Sequence, residues 1–165
     1  MEVRSPLDFE DFYRQEYRSV VGLAYALSGG RWIAEDIAQE AFVAAHRRWE
    51  VIGTFDQPGY WVRRVVSNLA VSAIRRRMAE GRALTRIALG RRDPLPELEP
   101  ADHEFWKAVR ALPRRQAQAI TLHYLEDLPV AEIAGILDCA EGTVKALLHK
   151  GRRALVLRLG EREDE

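Results

Sequence analysis

Cysteine is almost missing from this chain. Cys139 is the only one among 165 residues, so no internal disulfide can form and a cysteine-based zinc site is not expected. Long apolar runs are missing as well. The amino terminus, MEVRSPLDFE, lacks the apolar centre of a signal peptide, and no stretch approaches the roughly 18 apolar residues of a membrane span. A cytoplasmic location is the expectation that follows. Net charge is missing too, because 25 basic and 25 acidic side chains cancel at neutral pH. That argues against a chain that coats nucleic acid indiscriminately, so any such binding has to come from local patches. The four histidines, His46, His103, His123 and His149, are scattered, with no nucleophile or metal-ligand spacing linking them. Neither catalysis nor a metal centre nor a cofactor is expected.

What is present is a 47% hydrophobic content spaced at helical intervals, which predicts an all-α protein. Ser5 can cap a first helix, with Pro6 at its first position and Asp8 in its first turn. Phe9, Phe12, Tyr13, Tyr17, Val20, Val21, Ala24 and Leu27 keep the period until Gly29-Gly30 ends it. A second helix, from about Trp32 to Trp49, buries Ile37, Ala38, Ala41, Phe42 and Ala45. Asp36, Gln39, Glu40, Val43 and Arg47 occupy another side of it. Carboxylates one turn apart repel slightly unless a cation faces them. The strip is therefore either a solvated face or a docking strip for a basic partner.

A loop from Glu50 to Gln57 leads to a third helix, Pro58 to about Arg77, with Val62, Val66, Leu69 and Ala73 inward. Its outer side carries Trp61, Arg64, Asn68, Ser72 and Arg75, with Arg63, Arg76 and Arg77 close by and no acid in the segment. Aromatics stack on unpaired bases, arginines hold a phosphate backbone and an amide can read a base edge. A solvated basic helix is the plainer alternative. Residues 79–100, punctuated by Gly81, Gly90, Pro94, Pro96 and Pro100, read as a flexible linker. It divides the chain into two small helical domains, residues 5–78 and 101–160.

In the second domain Asp102 can cap a helix with Phe105, Val109 and Leu112 inward. Pro113 opens another, with Ala117, Ile120, Tyr124 and Leu128 inward. Val130 to Leu137, a turn over Asp138 to Glu141, and a helix from Gly142 complete a four-helix domain containing a helix-turn-helix. The last helix has Val144, Leu148, Leu155 and Leu159 on one stripe and Lys145, Ala146, His149, Lys150 and Arg153 opposite. Cations and small side chains on the free face suit a major groove, although an ordinary amphipathic hairpin has the same pattern. Cys139, in the turn, reads as a small buried residue rather than a redox switch.

Three stretches in this order, AEDIAQEAF, WVRRVVSNLAVSAIRRR and LPRRQAQAITLHYLEDLPVAEIAGILDCAEGTVKALLHKGRRAL, resemble the extracytoplasmic-function (ECF) group of bacterial RNA polymerase sigma factors. The resemblance runs from roughly Leu7 to Leu159. It implies that Asp36, Gln39, Glu40 and Val43 sit against the basic clamp helices of core RNA polymerase. It implies that Trp61, Arg64, Asn68, Ser72, Arg75 and Arg76 hold the promoter DNA element nearest the start site. The loop Val51 to Gln57 would help capture a base turned out of the non-template strand. Thr143, Lys145, Ala146, His149, Lys150 and Arg153 would face the more distant element as duplex. An anti-sigma factor is the implied inhibitory partner, and control by other means is equally compatible with these residues. Two positions depart from the family: Ser72 stands where an Asp or Asn is common, and Leu147 where a basic residue is common. The alternative function is a conventional helix-turn-helix regulator acting on duplex DNA without polymerase. Such proteins usually dimerise to match palindromic sites, and no heptad or other obvious dimerisation segment occurs here.

Overall fold

A computed structural model describes residues 6–80 and 100–160. The first domain holds α1 (Phe9–Ser28), α2 (Arg31–Arg47), a single turn α3 (Trp49–Ile52) and α4 (Pro58–Glu80). The second holds α5 (Pro100–Arg110), α6 (Arg114–Tyr124), α7 (Val130–Leu137) and α8 (Glu141–Gly160). Among the described residues there is no strand. Most of the expected linker, residues 81–99, lies outside the described residues, whereas residues 79, 80 and 100 are helical.

The first helix begins later than its sequence suggests. Asp8 is extended (φ −61°, ψ 126°) and its carboxylate accepts the Glu10 N–H at 2.8 Å, so Asp8 is the cap and Phe9 the first helical residue. Ser5 lies outside the described residues, and Pro6 precedes the helix. The cause is tertiary. Leu7 donates its N–H to the Gly53 carbonyl at 3.2 Å and accepts Trp49 Nε1 on its own carbonyl at 2.5 Å, which ties that segment to α3. The other end is as expected: Gly29 adopts φ +75° and donates its N–H to Tyr25 O at 2.8 Å. A Cβ there would also lie 2.8 Å from Arg110 Nε of the second domain.

The first domain closes around rings. Phe12 packs on Trp49 with centroids 4.8 Å apart, and Tyr13 meets Phe42 edge-on at 4.9 Å. Val62, Val66 and Ala70 of α4 are fully buried, as are Ala38, Ala41 and Ala45 of α2. These small α2 residues let α1 and α4 approach closely.

In the second domain Ile133, Ala134, Ile136 and Leu137 of α7 are buried, as are Val144, Leu148, Gly151 and Leu155 of α8. The turn between them is made by Asp138 in the left-handed region (φ 54°), whose N–H returns to Ala134 O. Tyr124 departs from expectation. It is 48% exposed; its hydroxyl accepts Arg152 Nε at 2.6 Å, and its ring meets Phe105 edge-on. The buried set of α6 is instead Ala117, Gln118, Ala119, Ile120, Thr121 and Leu122, almost the whole circumference.

That pattern arises because the domains pack together. The central helix α1 touches α2 and α4 on one side and α5 and α6 on the other, and α4 touches α7. Leu23 and Ala26, outside the expected apolar stripe of α1, are buried at 0% and 1% exposure for this reason.

Close packing at Gly151 generates a test. A Cβ there would stand 2.8 Å from Ile120 Cγ1. Helix propensity alone favours replacing glycine, so a net loss isolates the clash. Gly151→Val should destabilise the fold by about 1–3 kcal/mol in urea unfolding. Adding Ile120→Val should recover part of that loss.

Candidate nucleic-acid and polymerase surfaces

The strip on α2 is open. Asp36, Gln39, Glu40 and Val43 are all exposed, and Gln39 Nε2 donates to the Tyr13 hydroxyl at 2.9 Å. Trp32, 57% exposed, extends the strip by one turn. The sequence placed Trp32 only as a helix boundary; what distinguishes it is its exposure, which spacing alone does not report. At the far end of α2, residues Pro6, His46, Arg47, Arg48, Trp49, Glu50 and Val51 line a cleft of about 410 Å³. The adjoining loop exposes Val51 and Phe55, and Thr54 Oγ1 donates to Val51 O at 2.6 Å, which holds the turn.

The face of α8 is open as well. Thr143, Lys145, Ala146, His149, Lys150 and Arg153 are exposed, while Leu147 is half-buried against the core. Leu147 is therefore a packing residue on the flank of the face. Arg152, which sequence reasoning did not single out, is held by Tyr124 through its hydrogen bond and with its guanidinium 5.6 Å from the ring centroid.

The outer face of α4 is different, because the second domain lies on it. Arg64 Nε donates to Ile136 O and its Nη2 to Gly135 O, both at 2.8 Å. Asn68 Oδ1 accepts Arg114 Nη2 at 3.0 Å and Gln118 Nε2 at 3.2 Å. Ser72 donates its hydroxyl proton back to Asn68 O at 2.9 Å, so that donor serves its own helix. Trp61 is half-buried against the core, Arg76 is exposed, and the Arg75 side chain lies outside the described residues.

Beside these stands an ionic ring that the sequence did not disclose. Arg63 Nε donates to Glu126 Oε2, and its Nη1 reaches Glu16 Oε2 at 2.8 Å. Its Nη2 donates to Ser19 Oγ at 3.0 Å, and Ser19 in turn donates to Glu126 Oε1 at 2.8 Å. The Arg63 side chain is 12% exposed and that of Glu126 6%. Burial works against the Arg63 charge, but Glu126 and then Glu16 together outweigh it, holding the guanidinium above its ordinary pKa. Nearby, burial and then a hydrogen bond to Glu132 push the Tyr60 phenol up from 10.0 to about 12, against the opposing pull of Arg63.

Among the described residues, no helix is long and apolar enough to cross a membrane. The sequence profile of Sigma-70 region 2 matches residues 12–80, and that of Sigma-70, region 4 matches residues 102–155. Together they define the class, a sigma-70-type protein with two regions. The chain is 30% identical over 162 residues to the ECF RNA polymerase sigma factor SigW of Bacillus subtilis, covering 90% of this chain and 85% of that one. It is also 30% identical over 159 residues to SigE of Mycolicibacterium smegmatis, covering 89% of this chain but only 60% of the length of that relative. The chain belongs to the ECF sigma factors. A solved structure of the sigma factor RpoE from Bartonella quintana, in complex with the anti-sigma factor NepR, has the same fold. Its TM-score is 0.69 at 23% identity, over 93% of this chain and 97% of that one.

The Tyr60 shift has a signed consequence. A phenol raised from 10.0 to about 12 gives stability that is complete below pH 10 and is lost as the pH climbs through about 12. Glu132→Gln should bring the Tyr60 midpoint part of the way back toward 10, read from the tyrosine ¹³Cζ shift, and burial should keep the remainder. An unmoved midpoint would rule out Glu132 as a cause.

Proposed function

We propose that this protein binds core RNA polymerase in the cytoplasm and directs it to specific promoters, by binding work rather than catalysis. The supporting observation is that both sigma-70 regions occur in order in one chain, with an exposed acidic strip on α2 and an exposed basic face on α8. A conventional helix-turn-helix regulator would have no task for the acidic strip. We take residues 5–78 and 101–160 as the two working domains.

The roles follow from the chemistry of each surface. Asp36, Gln39, Glu40 and Val43 face basic helices of the polymerase, which supply the cations that neighbouring carboxylates require. Arg64, Asn68, Trp61, Ser72, Arg75 and Arg76 hold the near promoter element once strands separate. Thr143, Lys145, Ala146, His149, Lys150 and Arg153 face the distant element in duplex form. Opening each base-pair step costs about 1.4 kcal/mol, and stacking an unpaired base on a protein aromatic returns about 1–3 kcal/mol. Phe55, Trp61 and the loop around them are where that stacking belongs. With no net charge, the free chain binds duplex weakly, and attachment to polymerase raises the effective concentration of both elements. An anti-sigma factor, the partner of the B. quintana relative, is the proposed inhibitory partner class.

The test is transcription with purified core polymerase on genomic fragments, with start sites mapped. Asp36→Lys with Glu40→Lys should weaken core binding about ten-fold or more, the equivalent of roughly 1.4 kcal/mol. Asn68→Ala should alter preference at the near element alone, and Lys150→Ala should weaken the distant one. Equal loss at both elements for either single change would refute the division of labour, and absence of any core binding would refute the function.

A further inference from the structure

The groups on α4 assigned to DNA are already engaged within the chain. Both lone-pair directions of Asn68 Oδ1 are used, by Arg114 and by Gln118. Arg64 uses two donors on the carbonyls of Gly135 and Ile136 in the last turn of α7. Those carbonyls lack helical partners and carry the negative end of the helix dipole, so α7 presents Arg64 with an acceptor pair such as a phosphate would offer. The Tyr60 phenol interacts with the Glu132 carboxylate of the same helix.

We infer that the polar face of α4 is a surface with two mutually exclusive occupants: helices α6 and α7 of the same chain, and the single-stranded near promoter element. The inference rests on the proposed role of Arg64 and Asn68 in holding DNA. The exclusion is atomic, because one guanidinium edge and one amide oxygen cannot serve both. The other two surfaces, on α2 and α8, are exposed in the closed form, so closure withholds α4 selectively. The ring of Ser19, Arg63 and Glu126 is the latch. It joins α1, α4 and the loop between α6 and α7, and it holds Glu126 at 6% exposure, where an unpaired carboxylate is strongly disfavoured. Exchange of occupants therefore requires Arg63 to release Glu126 and the Glu126 carboxylate to be hydrated, while Arg63 keeps Glu16 within its own domain.

The experiment uses the full chain in a Cys139→Ser background. Dyes at Gln15→Cys and Val156→Cys, both exposed positions outside the proposed contacts, report the separation of the domains by energy transfer. The wild-type protein should show one compact population, and Glu126→Arg a separated one. Binding of a single-stranded oligonucleotide carrying the mapped near element should become at least ten-fold tighter in Glu126→Arg. That variant leaves every proposed polymerase and DNA contact intact, so with core polymerase it should use the same start sites. If it fails to fold by circular dichroism, Glu132→Lys with Arg114→Glu, at half-exposed positions, opens the same interface and should give the same gain. A separated wild-type population, or opening without tighter binding, overturns this inference while promoter-specific transcription by the wild-type protein leaves the function standing. A wild-type chain that never engages core polymerase overturns both.

Discussion

A guanidinium with an eighth of its surface exposed has to find carboxylates, and Arg63 finds two from different parts of the chain. Glu16 comes from α1 and Glu126 from the loop ahead of α7, and Ser19 closes the circuit by accepting from one charge and donating to the other. A buried ion pair of this kind adds little net stability over an apolar replacement, because both charges lose their water. Its contribution is register. The apolar residues of both domains supply the adhesion, in one continuous buried cluster. Such contacts are non-directional, and the ring selects the one arrangement in which Arg64 reaches the end of α7 and Asn68 reaches α6.

Helix α1 is the element on which this arrangement turns. It is wrapped by α2 and α4 and then covered from the other side by α5 and α6. Arg110 of α5 donates to Ala26 O at 3.2 Å beside the left-handed Gly29, whose missing Cβ leaves room for the same guanidinium. The helix end and the domain contact are thus one construction. The helix-turn-helix is assembled more locally. Asp138 reverses the chain, and Gly151 lets α8 lie against Ile120 closely enough to leave its basic face outward.

The surfaces differ in how far local pattern exposed them. The strip Asp36, Gln39, Glu40 and Val43 and the face Lys145, Ala146, His149, Lys150 and Arg153 lie where spacing puts them, because each belongs to one helix and faces solvent. The α4 face is also on the side that spacing assigns, yet its groups are occupied, since their partners lie 46 to 72 positions away. Tyr124 lies outside the core that spacing predicts for it, for a related reason. Its ring continues the apolar period, but α6 ends there and Arg152 offers its hydroxyl a donor.

Periodicity gives the angle of each residue about its own axis and so determined the helices, the inward stripes and the outward charges, while three stretches of sequence in order carried the sigma-factor resemblance. It carries no information on which stripe meets which, since that depends on contacts closed across long stretches of chain. Only the tertiary structure decided that Leu23, Ala26 and Leu122 are buried as fully as the expected core, that Arg63 stands between Glu16 and Glu126, and that one domain covers the other's α4. The physical reason is that burial of a second face is a property of two surfaces in contact, and a sequence pattern describes one surface at a time.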